Sequence, residues 1–346
     1  MFQSVIKIMQ KSPISVIQLS KLEPGLECDV FALLAEKEML TTRDGKPYIR
    51  VNFRDAIREI KFPIWSDTTI FDDCKQNWEA GEFYKLRAVY KISQYGPQLD
   101  IRKIRPVVEA DKAEGFDASQ CRPSSRFSPE SMYDELLALA KTHCGKGKLY
   151  QLIVQIFKKN REAILDTAAA RNHHHVFFGG LLEHSLMVTK TAIFLADMYL
   201  TNYPELKSQL SKPLVVAGAI LHDIGKIREL RYDVVTAHHT TEGDLIGHAV
   251  LGRDFVRDFG REVELEPEIQ MQLEHIVISH QRFADWGAPK PPMSLEALLV
   301  AHADSCDAMF GTYCRVIEQD DTPAEITSKK NILGYPLYKK GGQKKT

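Results

Sequence analysis

The sequence has no Cys-x-x-Cys pair; its six cysteines stand apart at Cys28, Cys74, Cys121, Cys144, Cys306 and Cys314. That spacing signals neither a zinc ribbon nor a disulfide framework, and reduced thiols are expected. Long apolar runs are missing too, since no stretch approaches the ~18 residues of a membrane span. The opening MFQSVIKIMQKSP is interrupted by charge, has no small-residue cleavage site and does not read as a signal peptide. A cytoplasmic protein with no membrane partner is expected. An excess of charge of one sign is also lacking, with a formal net charge of −1. Nucleic-acid binding therefore cannot be inferred from global charge and needs a local basic patch. No internal repeat is evident, and none of the 12 histidines precedes His143. The 346 residues suffice for two compact domains. Hydrophobic content of 44% with 26% charged residues is an ordinary globular balance.

The two halves differ in period. From Pro13 to about Pro106 the apolar pattern alternates, and Asp44-Gly45 is a strong hairpin signal between extended runs. In EIKFPIW, Ile60, Phe62 and Ile64 point one way, Lys61 and Trp65 the other. TIFDDCKQNWEAG reads as a short helix closed by Gly81, and the strands FYKLRAVYKIS and QLDIRKIRPV are joined by a turn at Tyr95-Gly96-Pro97. Five strands with one helix between the third and fourth match the small Greek-key barrel called the OB-fold, here over residues 13–107. Residues 108–129 mix Ala, Asp, Ser, Pro and Gly with little periodicity and read as a linker. After Ser128, a plausible cap, the period becomes helical and stays so to about Gln319. The expected fold is multidomain: an all-β OB barrel, then an all-α bundle over residues 130–335. A flexible basic tail follows over 336–346.

In the helical half, histidines recur at or near the ends of segments that look buried. His184 sits in GGLLEHS, His222 and Asp223 in ILHDIGK, His248 in LIGHAVLG, His275 and His280 in LEHIVISH, and Asp304 in VAHADSCDA. Adjacent helical residues point about 100° apart, so His222 and Asp223 cannot share a ridge. They can face a metal pair from one helix edge, with the carboxylate bridging. Neutral imidazoles and carboxylates suit Mn²⁺, Fe²⁺, Zn²⁺ or Co²⁺. One buried histidine is more often a hydrogen-bonded core residue, and His143 and His302 are read that way. Burying the series His, His-Asp, His, His, Asp is expensive unless something cationic pairs with it. The metal reading prevails.

This half resembles the HD superfamily of metal-dependent phosphohydrolases, whose signature is HDIGK, residues 222–226. The resemblance implies an all-helical HD domain in which His184, His222, Asp223, His248, His280 and Asp304 hold two divalent ions, Asp223 bridging them. Two ions roughly 3.5–4 Å apart activate a water and stabilise the leaving oxygen of a phosphodiester. Lys226, one turn beyond His222, reads either as a catalytic partner of Asp223 that neutralises phosphate or as a solvated lysine. His275, five residues before His280, cannot easily share its face and is a support residue or a misassigned ligand. In the barrel, Tyr48, Arg50, Trp65, Arg87, Tyr95 and Arg102 are candidates to stack bases and follow a single-strand backbone. Their competing explanation is the aromatic bias of strands and a wet charged face. His174, within the run His173, His174 and His175, is a further candidate for nucleic-acid contact, against a solvated loop.

The whole architecture resembles the bacterial YhaM-type 3′-to-5′ exoribonucleases. The likeness runs through TTRDGKPYIRVNFRD, RNHHHVFFGGLLEHS, ILHDIGKIREL, EGDLIGHAVLG, ISHQRFADWGAPKPP and HADSCDAMF, with GAPKPP between His280 and Asp304. It implies removal of nucleoside 5′-monophosphates from the 3′ end of single-stranded RNA, DNA often included. It also implies Mn²⁺ in preference to Co²⁺, Fe²⁺, Zn²⁺ or Mg²⁺, and association into a homo-oligomer. The N-terminus, the segment from Ala110 to Arg126 and the basic tail depart from the family pattern. Those departures leave substrate preference and oligomer contacts open. Two rival readings are an HD-type phosphodiesterase for cyclic or small nucleotides and a non-catalytic single-strand-binding adaptor. The first has no need of a strand-binding barrel, and the second no need of a complete ligand set.

Overall fold

A computed structural model describes residues 16–93, 96–121, 125, 127–168, 177–232, 237–320, 322 and 324–340. The chain divides into two compact units, residues 1–124 and 125–346.

The first unit contains β1 (Val16–Gln18), β2 (Glu27–Thr41), β3 (Pro47–Arg54), β4 (Glu59–Trp65), α1 (Phe71–Asn77), β5 (Phe83–Ser93) and β6 (Gly96–Pro106). Its sheet order is β4-β3-β2-β5-β6, with β1 lying parallel on β2. Residues 27–33 of β2 pair with β5 and residues 33–41 with β3, and the register shifts between Leu34 and Glu36. An irregularity of this kind bends a strand, which lets β2 serve both halves of a closing sheet. β4 and β6 come into contact. No ladder joins them among the described residues, so the barrel is the partly open Greek key of the OB-fold. The alternation expected of β3 and β4 is present: Ile49, Val51, Phe53, Ile60, Phe62 and Ile64 are buried, while Arg50, Lys61 and Trp65 face outward. Phe53, Trp78 and Tyr84 close the centre, with ring centroids 6.0–6.4 Å apart. Each such side chain contributes roughly 1.5–3 kcal/mol of burial.

Three expectations need correction. The helix α1 stops at Asn77 rather than at Gly81, because Trp78 turns extended to bury its ring and donates its indole N–H to Asp73 at 2.8 Å. The first part of the segment read as a linker is folded: Glu109–Glu114 and Ala118–Cys121 form 3₁₀ turns. Phe116 packs edge-on against Phe31 and Phe83, with centroids 5.3 and 5.4 Å away. The third concerns the tail. Thr327 N–H donates to Leu337 O and Lys339 N–H to Glu325 O, and Lys339 Nζ reaches Asp320 at 2.5 Å, so residues up to 340 are docked. Residues 341–346 lie outside the described set.

The second unit holds α2 (Pro129–Cys144), α3 (Lys148–Lys159), α4 (Arg161–Asp166), α5 (Gly180–Asn202), α6 (Lys212–Leu221), α7 (Lys226–Glu229), β7 (Leu230–Tyr232), β8 (Ala237–His239), α8 (Thr241–Ile246), α9 (His248–Glu262), α10 (Pro267–Ser279) and α11 (Leu295–Gln319). Ser128 caps α2 as expected, accepting from Ser131 N–H, and Ser294 caps α11 through Ala297 N–H. α6 packs against α2, α3, α5, α10 and α11. That surround explains why residues 214–221 are all buried and show no polar stripe. A Cβ on Gly218 would lie 2.7 Å from Ile276 Cγ2, so the glycine sets how closely α6 approaches α10.

The folded connector supplies an acid-sensitive tie. Asp111 is 1% exposed and accepts two hydrogen bonds from Arg105 at 2.6 Å each and one from Val108 N–H at 2.8 Å. The Arg105 hydrogen bonds outweigh burial and hold its pKa at about 2, against an ordinary 3.8. That depression is worth about 2 kcal/mol of stability, present above the unfolded-state pKa and lost as pH falls from about 4 towards 2. Denaturant melts of an Asp111→Asn variant should show that loss already at pH 7 and a flatter acid limb.

Candidate metal centre

α6 ends at Leu221, and the chain turns through residues 222–225 into α7. Gly225 makes this turn possible, because a Cβ there would meet His248 O at 2.0 Å and Gly252 N at 2.5 Å. The HD turn thus presses directly on the first turn of α9. Gly247, at φ +79°, aims that helix start so that His248 faces Asp223. His184 comes from the first turns of α5, His280 caps α10, and Asp304 lies within α11. Five segments therefore deliver six side chains to one place.

The geometry is organised about Asp223, which is 1% exposed. Its Oδ2 lies 3.4 Å from His184 Nε2 and 3.4 Å from His222 Nε2. Its Oδ1 lies 3.6 Å from His248 Nε2 and 3.5 Å from His280 Nε2. Each oxygen thus serves a different histidine pair. The ligand atoms of His184, His222 and Asp223 lie within 4.8 Å of one another, as do those of Asp223, His248 and His280. Asp304 Oδ1 joins the first group, 3.2 Å from His184 Nε2 and 4.0 Å from His222 Nε2.

All four imidazoles are oriented through the other ring nitrogen. His222 Nδ1 donates to Ala219 O at 2.8 Å and His280 Nδ1 to Val277 O at 2.6 Å. His184 Nδ1 bonds Asp307 at 2.7 Å and His248 Nδ1 bonds Glu229 at 2.9 Å. Carbonyls and carboxylates accept, so in the neutral rings the proton sits on Nδ1 and the Nε2 lone pairs point inward. His184 Nε2 and His222 Nε2 stand only 3.2 Å apart. Two lone pairs so close repel unless a cation sits between them. Asp223 Oδ1 adds to the demand, being buried with no hydrogen-bond partner. The residues present fit a divalent metal site.

The local field has the same sense. Burial opposes charge on His184, but hydrogen bonds to Asp223, Asp304 and Asp307 overcome it and raise its pKa well above the ordinary value. At Asp223 burial is outweighed by Lys226 and His222, and its carboxyl is held well below the usual range. Burial likewise loses to His184 at Asp304, whose pKa falls to about 2. A cluster that draws a proton onto a fully buried imidazole attracts a metal cation for the same reason.

Comparison with known proteins agrees. Residues 181–309 match the HD domain model. The 3′-5′ exoribonuclease YhaM of Listeria monocytogenes is 28% identical over 312 residues, 90% of this chain and 94% of that protein. The YhaM of Oceanobacillus iheyensis is 31% identical over 305 residues, 88% and 91% of the two chains. The chain belongs to the YhaM 3′-5′ exoribonuclease family. A domain of replication protein A from Methanococcus maripaludis aligns with 27% of this chain and 94% of its own at 14% identity, with a TM-score of 0.22. The barrel assignment rests on strand order instead.

Other expectations fall out unevenly. Lys226 is not an ordinary solvated lysine: its Nζ sits on Asp223 Oδ2 at 2.6 Å with the side chain 11% exposed. His275 Nε2 accepts from Met293 N–H at 2.9 Å. His302 is exposed on α11 rather than in the core, and His143 is half-buried. In the barrel, Tyr48 and Trp65 are register partners with ring centroids 5.1 Å apart, and Arg50 lies on the same outward face, paired with Glu38. Arg87 is committed to the sheet by a bidentate pair with Asp29, at 2.7 and 3.0 Å. Arg102 pairs with Asp100 at 3.0 Å. Tyr95 and His174 lie outside the described residues.

Sequence reasoning missed Glu229, Asp307 and Gln281. Asp307 was findable, because it falls one turn beyond Asp304 on the same helix face. Glu229 and Gln281 carry no local signal. Replacing Glu229 or Asp307 with Ala frees one imidazole to rotate and change tautomer. Calorimetric Mn²⁺ titration should show affinity weakened by about 10–100-fold. Glu229→Gln, which keeps an acceptor, should lose less.

Proposed function

We propose that this protein is a metal-dependent 3′-5′ exoribonuclease that releases nucleoside 5′-monophosphates from single-stranded RNA, and from single-stranded DNA as a secondary substrate. The observation that carries the reading is the division of Asp223, one oxygen to each histidine pair. That division supports two ions: His184, His222, Asp304 and Asp223 would hold one, and His248, His280 and Asp223 would hold the other. Nitrogen and oxygen donors together suit Mn²⁺, with Co²⁺, Fe²⁺, Zn²⁺ or Mg²⁺ as weaker fits. When bound, such a pair polarises a phosphodiester and lowers the pKa of the attacking water.

The chain's own residues do the remainder. Asp307 and Glu229 hold His184 and His248 with Nε2 inward, and the carbonyls of Ala219 and Val277 do the same for His222 and His280. Lys226 balances the charge of Asp223 and offers a cation to the phosphate. Water's oxygen joins phosphorus as the P–O3′ bond breaks, so the released nucleotide keeps its 5′-phosphate and the proton from water ends on the 3′ oxygen of the shortened strand. Residues 13–107 capture the strand, with Tyr48 and Trp65 stacking bases and Arg50 following the backbone, and residues 130–335 hydrolyse it. Family resemblance supports a cytoplasmic setting and self-association. No helix among the described residues is long and apolar enough to cross a membrane.

The test is incubation of 5′-labelled single-stranded RNA with the protein and Mn²⁺. A ladder shortening from the 3′ end, absent with chelator, is expected. Asp223→Ala should abolish cleavage while strand affinity stays within a few-fold, and hydrolysis by a demetallated, reloaded Asp223→Ala protein would defeat the assignment. Trp65→Ala should weaken strand binding by about tenfold, the value of one lost base stack, with kcat retained. Cleavage of cyclic or small diesters with no loss on Trp65→Ala would favour the phosphodiesterase reading.

A further inference from the structure

The loop after His280 carries features that the metal centre does not use. Phe283 and Trp286 are 48% and 60% exposed. Their rings meet edge to face, centroids 4.9 Å apart at 84°, and the Arg282 guanidinium carbon lies 5.0 Å from the Phe283 centroid. Arg282 takes a φ of 69°, a left-handed conformation that is costly for a residue with a side chain.

Backbone hydrogen bonds hold that conformation. Arg282 N–H donates to Ser279 O at 2.9 Å, Phe283 N–H to Gln281 O at 2.8 Å, Trp286 N–H to Phe283 O at 3.0 Å and Ala288 N–H to Phe283 O at 3.1 Å. The two rings are therefore presented outward by a braced turn. The turn is also tied to the centre. Gln281 Nε2 lies 3.2 Å from His248 Nε2, and Gln281 Oε1 lies 2.8 Å from where a Cβ on Gly287 would stand. Gln281 is thus wedged between a metal-facing histidine and the residue after Trp286.

We propose that Arg282, Phe283 and Trp286 form a stacking platform for the 3′-terminal base of the strand whose last phosphodiester lies at the metal centre. The inference rests on the exoribonuclease reading of that centre. An enzyme that removes successive nucleotides needs a grip that accepts any base, and ring faces provide one because every base has a π-face. The Arg282 guanidinium, resting on Phe283, adds planar donors suited to the adjoining phosphate. A protein-docking role for the same rings would not depend on the terminal base.

The experiment compares kcat/KM of the full chain with Mn²⁺ on two 5′-labelled oligoribonucleotides, one ending in an ordinary 3′ nucleotide and one in an abasic nucleotide. The unaltered protein should favour the first by about tenfold or more. In Phe283→Ala/Trp286→Ala the ratio should collapse towards one, while Trp286→Phe, which keeps a ring, should preserve it. Should the alanine pair not fold, the ratio is read on Phe283→Leu/Trp286→Leu, which keeps bulk without a π-face and should also lose discrimination. An undiminished ratio in the ring-less variant, or no discrimination by the unaltered protein, overturns the platform. Failure of the unaltered protein to shorten either oligonucleotide instead defeats the exoribonuclease reading, and the platform with it.

Discussion

The helical unit is arranged around one buried carboxylate. Asp223 is 1% exposed, and four imidazole nitrogens approach its two oxygens at 3.4 to 3.6 Å. Removing a carboxylate from water costs several kcal/mol unless charge and hydrogen bonds offset it. Lys226 supplies part of that offset at Oδ2, and Oδ1 has no hydrogen bond at all. Around this point the fold makes concessions to close approach. Gly225 admits the start of α9, Gly218 admits α10, and α6 gives up any polar face to sit in the middle of the bundle. The packing is subordinate to bringing distant histidines onto one acid.

The barrel uses its rings in two contrasting ways. Phe53, Trp78 and Tyr84 fill the interior, where their value is burial. Tyr48 and Trp65 pair on the outside of β3 and β4, where burial is incomplete. Interior rings make the barrel stable, and exterior rings give a sheet surface something to offer a flat ligand. The helical unit repeats the contrast, with Tyr133 and Phe157 inside and Phe283 and Trp286 outside.

Much of this is legible in the sequence itself. Period-two runs with Asp44-Gly45 between them foretold a strand pair, and the buried look of residues 213–221 followed by His222 and Asp223 foretold a polar site at a helix end. What escaped reading depended on partners remote in sequence. Asp29 claims Arg87 from another strand, and no local pattern announces that pairing. The supposed linker has linker composition, yet Asp111 and Phe116 dock it through contacts that periodicity cannot register. Glu229 looks like any acidic residue at a helix end until the turn at Gly247 brings His248 back to it.

The four imidazoles are not secured alike. His222 and His280 each stand one residue past a helix and turn back onto a main-chain oxygen three positions earlier, an acceptor left over by the helix terminus itself. No side-chain replacement can delete that oxygen. His184 and His248 lean on carboxylates that a single base change can remove. Side-chain substitution at the acceptors therefore reaches the orientation of only half the centre. The other half has two points at which substitution can act, Asp307 and Glu229, and neither change removes an imidazole.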